Sequence, residues 1–300
     1  MLGASQTLAR VKGFALVLTG AVLWGVSGTV AQHLFQNDGF TPEWLVVIRL
    51  LVSGILLLSA ARFQNKHGLW AIWKSRHDRI SLLLFGIIGM LGVQYTYFAA
   101  IQAGNAATAT LLQYLAPVLI TCYLAVRSRR LPSGKESVAV ILALSGTFFL
   151  VTDGRVKDLS ISEWALFWGI GSAFTLAFYT LQPSKLLAQW GATLVVGWGM
   201  IVGGVGFSFI SPPWEIQGEW NLKTALFVVF VILFGTLIAF YCYLESLKYL
   251  RPSETSLLSC AEPLTAAIMS VVWLHVSFGT IEWMGALCII ATIILLSKSE

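Results

Sequence analysis

Residues 89–117 read GMLGVQYTYFAAIQAGNAATATLLQYLAP, and residues 235–263 read GTLIAFYCYLESLKYLRPSETSLLSCAEP. Set one above the other at a constant offset of 146 residues, without a gap, they place Gly89 on Gly235, Tyr95 on Tyr241 and Tyr97 on Tyr243. Leu111 and Leu112 fall on Leu257 and Leu258, Pro117 on Pro263, and the register continues to Glu136 on Glu282. Apolar sequences match in places by chance. Two Tyr-x-Tyr pairs and two mid-helix prolines at one offset point instead to a duplicated unit. The chain accordingly divides into residues 1–155 and 156–300, two repeats of one design.

The surroundings of these stretches are too apolar for water. Of the 300 residues, 57% are hydrophobic and only 11% are charged, against roughly 25% charged in soluble domains. Mean hydropathy is +0.79. A membrane-crossing helix needs about 20 apolar residues. Ten such runs occur, over 13–34, 42–62, 80–101, 105–126, 136–152, 162–183, 192–211, 223–246, 253–274 and 281–297. They are continuous rather than alternating, which argues against barrel strands. The expected fold is an all-α integral membrane protein of about ten transmembrane helices. Each repeat holds five helices. Five is odd, so the second repeat enters from the opposite side and the two are inverted. Inverted repeats are a transporter signature, because rocking two similar halves exposes one central site to each side in turn.

Charge sets the expected orientation. Of the 19 Lys and Arg, 15 fall in one set of connections: Arg10, Lys12, Arg62, Lys66, Lys74, Arg76, Arg79, Arg127, Arg129, Arg130, Lys135, Lys185, Lys248, Arg251 and Lys298. The other side has Arg155, Lys157 and Lys223, and Arg49 lies inside the second run. Both termini are therefore expected in the cytoplasm, in a multi-pass inner-membrane protein. The net charge of +5 reflects this topology and does not imply nucleic acid, since no basic, aromatic surface domain exists to bind it. Cys122, Cys242, Cys260 and Cys288 lie in apolar runs and read as small packing residues. The first run is too long for a cleavable signal core and reads as a retained helix.

The order of motifs resembles the EamA family of the drug/metabolite transporter superfamily over nearly the whole chain. The first run carries Trp24-Gly25, similar to the family's opening helix. The second carries Arg49 in an Ile-Arg-Leu-Leu setting. The third and fourth form a hairpin of small residues, Ala103-Gly104-Asn105-Ala106, followed by Pro117, and the eighth and ninth repeat the theme up to Ala261-Glu262-Pro263. One departure is that Ala125-Val126-Arg127 and Leu274-His275-Val276 stand where the family often has Leu-Gly-Glu. The resemblance implies ten helices around a central cavity and the movement of small metabolites, often export of amino acids or related solutes.

Ionisable groups at membrane depth are costly and usually face a cavity or a partner. Glu262 lies about ten residues into the ninth run, near the midplane at 1.5 Å rise per residue. Pro263 follows it and frees a carbonyl one turn earlier. A carboxyl beside a broken helix can bind a cation, a substrate amine or a proton, which makes protons the candidate coupling ion. The bland alternative is a hydrogen-bonded packing acid. Arg49, about two turns into the second run, can attract an anion or hold a gate, or simply anchor the helix. Trp24, Gln94, Tyr95, Gln113, Tyr114, Tyr179, Gln182 and Tyr241 lie at similar depth and are candidates to line a substrate pocket that is mostly apolar. Trp44, Trp70, Trp73, Trp164, Trp214 and Trp220 read as interfacial belt residues. Gly197, Gly199, Gly203, Gly204 and Gly206 permit close helix approach.

Gly25-Val-Ser27-Gly28 matches the Gly-x-Ser-Gly of rhomboid-like intramembrane proteases, but such chemistry needs a histidine base in reach. His67 and His77 fall in a loop, and His33 and His275 near helix ends. No phosphate-binding loop and no metal-ligand cluster is legible, so no cofactor is expected. The reading favoured is a secondary transporter or facilitator of a small-molecule substrate. The alternative is an integral-membrane enzyme acting on a lipid or isoprenoid substrate, which would show paired acids or a His–acid cluster at one interface.

Overall fold

Each apolar run becomes a helix, and a polar residue in front of it often supplies the cap. In the computed structural model, residues 2–64, 68–129, 133–154, 160–246, 248–250, 255 and 258–297 are described. Among them lie ten apolar helices: α1 (Arg10–Asn37), α2 (Pro42–Arg62), α3 (Arg76–Ala103), α4 (Ala106–Arg127), α5 (Gly134–Thr152), α6 (Glu163–Leu181), α7 (Ala192–Ser208), α8 (Leu222–Tyr243), α9 (Ala261–Val272) and α10 (Thr280–Leu295). Seven are long and apolar enough to cross a membrane; α7, α9 and α10 are shorter. No strand occurs among the described residues. The first part of the expected ninth run, the expected repeat boundary at 155/156, and Lys66, Arg130, Arg155, Lys157, Arg251 and Lys298 lie outside them.

Asn105 caps α4 by accepting from the Thr108 N–H at 2.8 Å. Ser133 and Glu136 form a reciprocal capping box on α5, and Asn221 and Thr224 one on α8. These side chains satisfy backbone donors that a helix start leaves open. Large apolar side chains project outward along the bundle, among them Val126, Phe174, Phe209 and Leu222, as lipid contact requires.

Two irregularities recur at the repeat offset. Turns of π-helix interrupt α3 at Phe85–Leu91 and α8 at Leu233–Ile238. α4 breaks at Tyr114 and Leu115, just before Pro117, and α9 starts after turn residues Ser259 and Cys260, just before Pro263. Proline has no N–H to give the carbonyl four residues back, so the Ser259 carbonyl accepts from the Glu262 N–H at 2.9 Å instead of from residue 263. Helix pairing has the same symmetry. α2 packs on α7 and α5 on α10; α1 packs on α8 and α9, while α6 packs on α3 and α4. Exchanging the halves maps this set onto itself.

Glycine sets several of these distances. A Cβ on Gly25 would sit 2.7 Å from the Glu262 carbonyl, and one on Gly285 2.7 Å from the Gly146 carbonyl. The α7 glycines face α2 and α3 in the same way, with Gly203 against the Gly86 carbonyl. Trp44 departs from the expected belt. It is 3% exposed, packs tilted against Phe40 and edge-on against Trp220, and donates from Nε1 to the Pro213 carbonyl at 3.3 Å. The 212–221 connection folds over the start of α2 and removes it from the surface. Trp70, Trp164, Trp214 and Trp220 remain exposed.

Candidate functional site

A cavity of about 630 Å³ lies inside the bundle. Residues from all ten helices or the turns between them reach it. Its deep end holds Arg49, Phe98, Gly28 and Gly235. From there the lining runs past Glu262 and Tyr114 to Leu124, Glu136 and Thr180, which sit where α4 and α6 end and α5 begins. The opposite end of the bundle is closed. Gln32 of α1 accepts from the Ala106 N–H at 2.8 Å, and Gln36 donates to the Gly104 carbonyl at 2.9 Å. His33 stacks on Trp273, just past the end of α9, at 5.5 Å and lies 3.1 Å from the Lys223 ammonium of α8.

Arg49 is buried and its partners are neutral. Its Nε donates to Thr236 Oγ1 at 2.9 Å, Nη2 donates to the Gly235 carbonyl at 3.4 Å, and its guanidinium lies 4.6 Å from the Phe98 ring centre. No carboxylate forms an ion pair with it among the described residues. The π-turn of α8 makes this possible: Thr236 Oγ1 donates to the Val231 carbonyl, five residues back, at 3.0 Å. Gly235 allows the approach of α1, because a Cβ there would overlap the Ser27 side chain.

Glu262 lies at the start of α9, and its own carbonyl forms part of the α1 contact at Gly25. Its Oε2 accepts from the Tyr114 hydroxyl at 2.8 Å. The same hydroxyl is 3.0 Å from the Ser259 carbonyl, which Pro263 cannot serve and which also accepts from the Glu262 N–H at 2.9 Å. Thus the break in α4 and the break before α9 are joined through one side chain. Tyr97 is in electrostatic range of both Arg49 and Glu262, and its hydroxyl bonds Thr110 Oγ1 at 2.8 Å. The cavity therefore has a cationic pole, an acidic pole and a phenol between them.

Aromatic rings form much of the remaining wall. Trp24 meets Phe240 edge-on at 5.2 Å and Tyr243 at 5.3 Å, and Tyr179 lines the same space. Gln113 Nε2 donates to Ser172 Oγ at 2.7 Å. Gln94 is 7% exposed, lines the cavity, and has no hydrogen-bond partner among the described residues.

The structure brings seven of the ten sequence candidates to this cavity: Glu262, Arg49, Trp24, Gln94, Gln113, Tyr114 and Tyr179. It places three elsewhere. Tyr95 donates to Glu43 Oε1 at 2.9 Å and packs on Trp168 and Phe207. Gln182 Nε2 donates to Ser81 Oγ at 2.9 Å, tying the end of α6 to the start of α3. Tyr241 is exposed on the outside of α8. Sequence reading took the first tyrosine of each Tyr-x-Tyr pair, whereas Tyr97 and Tyr243 line the cavity. Residues two apart on a helix point about 200° apart, so only one of each pair can face inward. The spacing Gln94, Tyr97, Phe98 marks the inward face of α3. Thr236 had no sequence signal, because its role depends on the π-turn. Ser27 also lines the cavity, and no histidine does.

Comparison with known proteins agrees with this architecture. The profile of the EamA-like transporter family matches residues 11–152 and again 163–298. The chain is 41% identical over 291 residues to the "Uncharacterized inner membrane transporter YicL" of Salmonella typhimurium LT2, covering 95% of each chain. It is 24% identical over 278 residues to the "Threonine/homoserine exporter RhtA" of Escherichia coli K12, covering 92% of this chain and 87% of that one. A solved crystal structure superposes with a TM-score of 0.59 at 17% identity, over 97% of this chain and 96% of the other, which shows a shared fold. With a helical bundle of membrane character, an internal cavity and a family match along both halves, this chain belongs to the EamA-like transporter family.

Proposed function

We propose that the chain is a secondary transporter that exports amino acids or related small solutes by alternating access. The observation that carries this is the single cavity in which Arg49 and Glu262 both line the wall among aromatic rings. A small solute with opposite charges and an apolar body has a complement there. The threonine/homoserine exporter named above supports the same reading at a distance. In this reading residues 1–155 and 156–300 are inverted five-helix repeats, both termini lie in the cytoplasm, and the cavity opens toward the cytoplasm. The mirrored helix pairing and the paired π-turns support the repeat. The basic residues Arg127, Arg129 and Lys135, beside the open end of the cavity, support the orientation. Glu262, near mid-bundle, is the group proposed to exchange protons with the transport cycle.

The test is counterflow in liposomes holding the purified full chain, screened with labelled amino acids and other metabolites. Saturable accumulation of an amino acid, driven by the same unlabelled compound inside, is the expected result. Failure of every amino acid alongside accumulation of another class would overturn the substrate reading. Failure of the whole library would overturn transport of these compounds.

A further inference from the structure

The guanidinium of Arg49 is oriented by a hydroxyl and a backbone carbonyl rather than by an acid. Of its five N–H groups, Nε–H goes to Thr236 Oγ1 and one Nη2–H to the Gly235 carbonyl. Three are left, and the group lines the cavity at its deep end. A buried cation without an anionic partner is costly; a site that receives an anion during its cycle gives that arrangement a purpose. A second donor lines the same cavity. The Gln94 carboxamide is unpartnered among the described residues, and Gln94 lies one helical turn before Phe98, whose ring carries the guanidinium.

The chemistry of the anion follows from what else lines the cavity. Among the described residues Arg49 is its sole lining Lys or Arg, and Glu262 shares the wall. A dianionic phosphate would meet one cation and a nearby carboxyl. A single carboxylate matches the planar fork of one guanidinium, which binds it through two parallel N–H bonds. Resting on the transport reading above, we propose that the solute carries a carboxylate that docks on the free N–H groups of Arg49, with Gln94 as a further donor. Thr236 is the positioning residue: its hydroxyl, held by the π-turn of α8, fixes the plane of the fork.

The test measures binding to the detergent-purified full chain by calorimetry, using L-threonine, L-leucine and L-phenylalanine beside their methyl esters. The wild type is expected to bind at least one acid tenfold or more tighter than its ester. Thr236→Val, which keeps the shape and loses the acceptor, should shrink that ratio several-fold, and Thr236→Ser should restore it. A purely structural Thr236 would lower the melting temperature without moving the ratio. Equal binding of acid and ester, or binding of neither, overturns the assignment, as does an unchanged ratio in Thr236→Val. The wild-type comparison stands even if a variant fails to fold. Counterflow of a solute without a carboxylate would sink this inference and leave transport itself standing.

Discussion

The Tyr114 hydroxyl lies 2.8 Å from Glu262 Oε2 and 3.0 Å from the Ser259 carbonyl, so a single phenolic proton faces two acceptors. When Glu262 is ionised, that proton serves the carboxylate and its bond to Ser259 weakens. When Glu262 is protonated, its own O–H can donate to the phenol, and the phenol to Ser259. The neutral state thus completes a chain from α9 through α4 to the broken end of α9, and the charged state does not. Glu262→Gln mimics the neutral donor. It should fold, keep the chain, and lose the pH dependence of counterflow, with the rate falling about tenfold or more, equivalent to about 1.4 kcal/mol. Wild-type rates with an unchanged pH profile would leave Glu262 a packing residue.

Arg49→Gln removes the cation and most of the fork, so counterflow should fall at unchanged membrane abundance. Arg49→Lys is expected to rescue little, because an ammonium cannot bond Thr236 and a carboxylate in one plane. Transport at wild-type rate by both variants would remove Arg49 from the site.

The two members of each tyrosine pair should differ. Tyr97→Phe alters the cavity and strips Thr110 of a partner, so it should change solute affinity. Tyr95→Phe breaks the bond to Glu43, away from the cavity, and should lower thermal stability by about 0.5–1.5 kcal/mol while leaving affinity alone. Competition binding on both variants decides between these outcomes.

Gly25→Ala would press a methyl into the Glu262 carbonyl and Thr265, and overpacking of this kind costs about 1–3 kcal/mol. Gly134→Ala meets nothing within 4 Å and should be neutral or slightly stabilising. Melting curves in one detergent compare the two directly, and an equal effect would contradict the α1–α9 approach.

In a cysteine-free background, single cysteines at Asn37 and Ile216 should react with impermeant thiol reagents in intact cells. Cysteines at Lys74 and Lys135 should be protected until the membrane is opened. All four positions are exposed in the fold, so burial does not confuse the result. The reverse pattern would invert the proposed topology.

Much of the fold was legible because a bilayer makes strict demands. Apolar run length gave most of the helices to within a few residues, and the structure adds the caps, such as Asn105 and Ser133, that fix their starts. Pro117 and Pro263 announced the two breaks. The site was legible where depth alone decides, as for Glu262, Arg49 and Gln113. It was not legible where rotation about a helix axis decides. Tyr95 and Tyr241 share depth with Tyr97 and Tyr243 but point away, and only packing settles which ring turns inward. The π-turns were hidden for a further reason: they shift the register locally, so a uniform 3.6-residue period misplaces side chains beyond them. Trp44 went astray because the distant Pro213 backbone covers it.

The closed end of the bundle is held by few polar bonds, among them Gln32 to Ala106, Gln36 to Gly104 and the Tyr95–Glu43 pair. The Gln36 bond is exposed, the Tyr95 bond part-buried and the Gln32 bond buried, and a typical intramolecular bond contributes only about 0.5–1.5 kcal/mol net. In the proposed alternating-access cycle, a bias of a few kcal/mol from such bonds would leave the opposite conformer a minority of roughly 0.1–10%. A seal of that strength yields to thermal motion without an energy source of its own. In that proposed cycle the direction of net flux would be set by the gradients across the membrane, and by whichever occupant of the cavity binds the rarer conformer more tightly.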